Sequence, residues 1–229
     1  MSNETPKYLL KFVSKEEYAK TFQNGIIYTR PAGYYRYLEE GQGDEYEGNV
    51  KPEGFCSPFR NIKMYKCEEY SIYCMYAAYE GDIEYGYING IEKRCIDDFH
   101  AEYVAVIKYD DIIPIISELQ AKLECEVCYG TVQYRIFNGH DAFIALFTPS
   151  CNNLFIKRPK FSHQNEFRVV FCEKNPYTMQ KNDLGGYNMV YDEAKEYTFS
   201  YDAKSKIKIY SVDTMGIDTK GKLRLKVDL

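Results

Sequence analysis

Glu166 and Arg168 stand two residues apart at the entry to the apolar run Phe167-Arg168-Val169-Val170-Phe171. Side chains two apart on a strand leave the same face. The spacing therefore predicts a carboxylate and a guanidinium side by side, with Phe167, Val169 and Phe171 packed on the opposite face. Two opposite charges in that position are costly unless they bond each other or a ligand. Just upstream, Lys157, Arg158, Lys160 and His163 gather around Pro159, and Gln164 places an amide two residues before Glu166.

These residue types suit several chemistries. A fixed carboxylate stabilises positive charge developing at a neighbouring carbon, and an adjacent amide can orient an acceptor. Forked guanidinium donors hold phosphates, which makes Arg30, Arg36 and Arg158 candidate ligand groups with Arg168 and Lys157. Tyr34 and Tyr35 offer rings for stacking. Asp44 and Glu47, in the acidic turn-rich stretch Gly41-Gln42-Gly43-Asp44-Glu45-Tyr46-Glu47-Gly48-Asn49, could join Glu166 and Lys157 around magnesium if the two segments meet. The simplest alternative is a Glu/Arg cross-link that anchors a loop.

Several elements must position these groups. Tyr8 to Val13 reads as a strand, and Ser14-x-x-Glu17 as a capping box opening a helix to about Asn24, ended by Gly25. Ile26 to Tyr28 forms a short strand broken by Thr29-Arg30-Pro31, and Ala32 to Glu40 reads as a helix. Tyr70 to Ala78 and Tyr103 to Tyr109 are strands, with weaker signals at Tyr85 to Ile88 and a helical turn at Cys95 to His100. A helix from Asp110 or Asp111 to about Leu123 carries Pro114 in or near its first turn. Glu126 to Phe137 alternates loosely as a strand, Asn138-Gly139 signals a turn, and Ala142 to Phe147 fits either strand or helix. The organising strand spans about Phe167 to Cys172, a polar excursion runs from Glu173 to Asp192, and Tyr197 to Tyr201, Ile207 to Val212 and Leu223 to Val227 are late strands. Strands outnumber helices without alternating with them. The fold class expected is α+β, one domain of mostly antiparallel twisted sheets with two to four helices.

The chain of 229 residues is long enough for a substantial core. Its 24 Tyr and 13 Phe with no Trp favour β-structure and polar pockets. A net charge of -5 excludes the uniform basic field of a general nucleic-acid binder. No apolar stretch reaches membrane-spanning length and the N-terminus lacks signal-peptide character, so a soluble cytoplasmic protein with no membrane partner is expected. Gly41-Gln42-Gly43 lacks the third glycine and following helix of a dinucleotide fingerprint, and there is no Gly-x-Ser-x-Gly. Of the eight cysteines, Cys125 and Cys128 form the one C-x-x-C, which is half a tetrahedral shell. Cys74 and Cys172 read as small buried hydrophobes. Free thiols and no assigned metal are expected.

Two resemblances follow. Gly25-Ile26-Ile27-Tyr28, Tyr35-Arg36, Gly43-Asp44-Glu45-Tyr46-Glu47-Gly48, Ile156-Lys157 and Gln164-Asn165-Glu166-Phe167-Arg168 resemble a bacterial and phage domain-of-unknown-function family, over roughly residues 8 to 172. That family carries an early Asp-x-x-Glu-Gly and a late Lys … Glu-x-Glu-Phe/Tyr-Arg element, and implies no established activity. More loosely, Gln164-x-Glu166 is similar to the Gln/Glu-x-Glu element of ADP-ribosyltransferases. This second likeness implies a split sheet, NAD as co-substrate, Glu166 holding the nicotinamide ribose and Gln164 serving the acceptor, a protein or nucleic acid. The first-strand Arg or His of that superfamily falls near Lys11, a departure from its pattern, and no Ser-Thr-Ser element is present.

Three functional expectations result. The first is an ADP-ribosyltransferase-like or NAD-cleaving protein of a bacterial or phage conflict system, such as a toxin or a phage-defence protein. Glu166 and Gln164 would be catalytic, with Arg30, Arg36 or Arg158 on the pyrophosphate and Tyr34 or Tyr35 on the nicotinamide. The second is a binding module that captures a nucleotide-like small molecule without turning it over, Glu166 and Arg168 bracing the pocket. The third is a metal-dependent nuclease built on Asp44, Glu47, Glu166 and Lys157.

Overall fold

The structure is a computed structural model that describes residues 4–38, 70–136, 151–174, 178–181, 187–190 and 194–227. The strands are β1 (Tyr8–Val13), β2 (Ile26–Pro31), β3 (Tyr70–Ala78), β4 (Ile83–Glu84), β5 (Tyr87–Ile91), β6 (Tyr103–Lys108), β7 (Val127–Thr131) and β8 (Gln133–Tyr134). They continue with β9 (Ile156–Lys157), β10 (Glu166–Lys174), β11 (Thr178–Lys181), β12 (Tyr187–Val190), β13 (Lys195–Thr198), β14 (Lys208–Ser211), β15 (Gly216–Ile217) and β16 (Leu223–Lys226). Four α-helical segments accompany them among the described residues: α1 (Glu16–Gln23), α2 (Lys93–Phe99), α3 (Tyr109–Lys122) and α4 (Ala203–Lys206). The protein is α+β with mostly antiparallel sheets, as its strand-rich pattern predicts.

The main sheet runs β13-β2-β3-β1-β6-β14, with β10 and then β7 attached to β3. Every pairing in it is antiparallel; the short β8–β9 pair is parallel. β3 is the hub. Along one edge Glu166 to Phe171 of β10 pair with Tyr76 to Ser71. Along the other, β1 takes Tyr76 to Ala78 while β2 takes Ser71 and Ile72. The sheet therefore forks beside Tyr73, Cys74 and Met75.

Alternation along the strands assigns the two faces. Phe167, Val169 and Phe171 of β10, with Leu9, Tyr73, Met75 and Ile107, are buried in a core closed by Ala19 and Phe22 of α1 and by Ile112, Ile115, Ile116 and Leu119 of α3. The opposite face carries two smaller cores. One joins Leu10, Phe12, Tyr76 and Val104 to Cys95 of α2 and to Ile88, Ile91 and Leu225 of the β15-β16-β5-β4 sheet. The other joins Ile72 and Val170 to Ala32 and Leu154. Burying each such side chain contributes about 1.5–3 kcal/mol, so all three cores matter to stability.

Several local readings are corrected. Helix α1 starts at Glu16 with Lys15 at its N-cap and no side-chain cap bond, so the Ser14 capping box is not formed. Its amphipathic packing through Ala19 and Phe22 replaces the cap. β2 continues through Thr29 and Arg30 to Pro31, because Pro31 ends the strand at the fork and its missing N–H breaks no longer ladder. Ala32–Tyr37 is a 3-10 helix. Pro114 lies in the second turn of α3, where the first-turn argument for tolerance fails. The polar excursion contains β11 and β12, which pair as a hairpin through Thr178↔Val190 and Lys181↔Tyr187. Asn138-Gly139 and Ala142 to Phe147 lie outside the described residues.

Candidate functional site

The site is built at the start of β10. A 3-10 turn, Pro159–Gln164, follows β9 with Arg158 extended before it and Pro159 at its first position, where a missing N–H costs least. Asn165 closes the turn in the left-handed region, φ 38°. Asparagine tolerates that conformation, and here its side-chain amide donates to the Ala77 carbonyl at 2.6 Å while its own carbonyl accepts from Ala77 N–H at 2.7 Å. The reversal is thus pinned to β3, and Glu166 enters the sheet on the face away from the main core.

On that face Glu166 is enclosed. Lys157 Nζ donates to its Oε1 at 2.5 Å and Arg168 Nε to its Oε2 at 2.7 Å. Lys157 also donates to Gln164 Oε1 at 2.7 Å, and Arg168 Nη1 donates to the Leu154 carbonyl at 2.5 Å. The Glu166 N–H is taken by the Tyr134 hydroxyl at 2.8 Å. Exposure is 4% for Lys157, 3% for Gln164, 6% for Glu166 and 1% for Arg168, so these bonds form with water excluded. The cost of burying such charges is recovered only with good geometry and satisfied hydrogen bonds.

Burial alone would raise the Glu166 pKa, but Arg168 and Lys157 outweigh it and hold the carboxyl well below the ordinary carboxylate range. It is an anion across the physiological range. The Cys74 thiol, opposite Arg168 in the register, is pushed up to about 12, first by burial and then by the Glu166 charge. It is a neutral thiol.

The polar cluster borders a cavity of about 80 Å³ lined by Lys11, Phe12, Tyr35, Cys74, Tyr76 and Phe99 together with Lys157, Gln164, Glu166 and Arg168. It lies at the fork, in the seam between the two smaller cores. Lys11 of β1 reaches across the fork: its Nζ donates to the Cys74 carbonyl at 2.8 Å and stands 4.6 Å from the centre of the Tyr73 ring. Burial lowers the Lys11 pKa, with the neighbouring Cys74 and Glu166 pulling it back. A second cavity of about 230 Å³, beside Tyr8, Lys108, Asp111, Lys206 and Tyr210, is larger, but among the described residues its one ion pair, Lys206–Asp111 at 3.5 Å, has a half-exposed lysine, and no buried ion cluster lines it. The smaller cavity is the better candidate, because the buried ionisable groups converge there.

The structure brings together Gln164, Glu166, Arg168, Lys157 and Tyr35 of the expected residues. Arg30 is not among them. It leaves the same face of the sheet as Glu166, opposite Ile72, but near the end of β2 it contacts Tyr28 through a 3.3 Å bond to the hydroxyl and lies 4.5 Å from the centre of the Tyr34 ring, and it does not line the cavity. Arg158 stands 5.5 Å from the Phe161 ring and does not border the cavity, one residue of extended backbone sending it opposite to Lys157. Arg36 falls in the 3-10 helix, and its side chain lies outside what the structure describes. Asp44 and Glu47 also lie outside the described residues.

Tyr76 and Tyr134 carry no sequence signal of a site, Cys74 reads there as a small buried hydrophobe but is half-buried on the cavity wall, and Lys11 enters only as a departure from a family pattern. Their signal is one of register, with Cys74 opposite Arg168 and Tyr76 opposite Glu166. His163 and Asp98 form a further pair at 2.9 Å behind the turn, joining it to α2. No helix among the described residues is long and apolar enough to cross a membrane. Comparison with protein-family models, with curated proteins and with solved structures returns no match.

Proposed function

We propose that the protein is a binding module that receives one end of a nucleotide-like small molecule in the cavity at the fork and holds it without chemistry. The observation that carries this reading is the state of Glu166. Both its oxygens accept bonds from cations of the chain itself, at 2.5 and 2.7 Å, and Gln164 is bonded to one of those cations. A carboxylate so engaged braces a wall. A catalytic carboxylate must instead direct its charge at the reacting carbon. The wall it braces combines rings (Phe12, Tyr35, Tyr76, Phe99) with polar donors, the mixture that small-molecule sites use. At about 80 Å³ the enclosed space suits one ring or one small polar group, below the roughly 300–1,000 Å³ of drug-sized pockets.

The test is a melting experiment with nucleoside mono- and diphosphates, ADP-ribose and NAD, followed by chromatography of the recovered ligand. A concentration-dependent rise in Tm with the ligand returned intact supports the module. No shift with any member of the panel refutes it.

A second reading, ADP-ribosyl transfer or NAD cleavage within a bacterial or phage conflict system, has one observation in its favour. Gln164 and Glu166 border the same cavity as Lys11 of the first strand, on a sheet that forks beside them. There Glu166 would hold the ribose of NAD and Gln164 the protein or nucleic-acid acceptor. Release of nicotinamide by wild type and not by Glu166→Ala would favour this reading over the module. The nuclease reading rests on Asp44 and Glu47 and gains no support from the described residues.

A further inference from the structure

Cys128, Cys151 and Cys172 come from three separate elements: β7, the 3-10 turn Cys151–Phe155, and β10. Their sulfurs lie within 4.8 Å of one another, and the Cys128–Cys172 separation is 3.9 Å. The register explains the convergence. Val170 is opposite Cys128 on β7, so Cys172, two residues further along β10, lies diagonally next to it on the same face, and the turn lays Cys151 over both. Cys125, the other half of the C-x-x-C, is not in the group.

We propose that Cys128, Cys151 and Cys172 form a binding site for a soft, thiophilic metal ion of the Zn2+ type. Thiolates are the ligands such ions prefer. At a Zn–S distance of about 2.3 Å, tetrahedral to trigonal coordination separates the sulfurs by about 3.8–4.0 Å. The 3.9 Å pair has that separation already, whereas a disulfide would require its sulfurs to close to about 2.05 Å. All three residues are half-buried, so an ion can enter and one coordination position stays open to water or a further ligand. Binding releases the thiol protons to solvent.

The site also has a structural consequence. The turn that supplies Cys151 supplies the Leu154 carbonyl that accepts from Arg168, and it runs directly into β9, which carries Lys157. A metal at Cys151 clips this segment to β7 and β10 and so fixes two supports of the ion cluster.

The experiment uses the reduced chain, equilibrated with Zn2+ without oxygen and freed of unbound metal. One Zn2+ per chain is expected, with affinity at least tenfold weaker in Cys151→Ser and Cys128→Ser and unchanged in Cys125→Ser. Slower hydrogen exchange over residues 151–157 is expected on metal addition. Should a variant misfold, Cd2+ titration of wild type reads the same site through its thiolate charge-transfer absorption, saturating at one equivalent. Absence of bound metal overturns the proposal, as does binding lost in Cys125→Ser and kept in Cys151→Ser. Recovery of a Cys128–Cys172 disulfide from a chain that takes up no metal overturns it in favour of a redox pair.

Discussion

Replacing Glu166 by Gln keeps the shape of the side chain and removes the charge to which Lys157 and Arg168 donate. The three groups are 6%, 4% and 1% exposed, so water cannot take over the lost interactions. Arg168 keeps the Leu154 carbonyl and Lys157 keeps Gln164. These remaining bonds set the loss near the lower end of the range for breaking a buried pair, about 3 kcal/mol. In a chain of this size each kcal/mol moves Tm by roughly 2–4 °C. Glu166→Gln should therefore melt about 6–12 °C below wild type, read by circular dichroism or calorimetry. The triple variant Lys157→Met/Glu166→Leu/Arg168→Met removes the three charges together and should recover more than half of the loss, since apolar replacement of a whole buried ion cluster is often neutral. A Glu166→Gln variant that melts within about 1 °C of wild type, or a triple variant that melts lower than the single one, refutes the claim that this carboxylate is a brace.

Three further outcomes are expected. The folded-state pKa of Glu166 is depressed below the unfolded value of about 4.3, so its contribution is fully present above that pH and is lost as pH falls through the folded pKa. The acid limb of wild-type stability should accordingly be steeper than that of Glu166→Gln below about pH 4, and parallel limbs would contradict the assignment. Gly25→Ala should cost about 1–3 kcal/mol in denaturant unfolding, because φ is +89° and an added Cβ would meet the Phe199 carbonyl oxygen at 2.6 Å; an unchanged midpoint would count against that strain. Pro114→Ala restores the N–H that Asp110 lacks in α3 and should stabilise by about 1–2 kcal/mol, whereas a lower midpoint would show that the proline sits without strain.

The long strands were legible in the sequence because their physics is local. Tyr70–Ala78 and Tyr103–Lys108 are apolar runs of strand length, and the Glu166–Arg168 spacing alone predicts the pair that forms. The hairpin of β11 and β12 was not legible, since Thr178–Lys181 carries no apolar alternation to mark it. The Ser14 capping box failed because one motif of four residues weighs less than the packing of Ala19 and Phe22. The site was half legible. Lys157, Gln164, Glu166 and Arg168 are close in sequence, while Lys11, Cys74 and Tyr134 join them through pairing register that no local pattern encodes. The thiol group shows the same limit. Cys125-x-x-Cys128 draws attention by its spacing, yet the sulfurs that meet belong to residues 128, 151 and 172.

Methyl NMR with the panel of nucleotides addresses the ligand cavity most directly. Leu10 and Ile72 line the cavity at the fork, and Ile112 and Ile115 lie in the core across the sheet. Binding at the fork predicts saturable shifts of the Leu10 and Ile72 methyl resonances, with Ile112 and Ile115 unmoved and the ligand intact at the end of the titration. Shifts confined to Val106 and Val227 beside the second cavity, or no shifts at all, would contradict it.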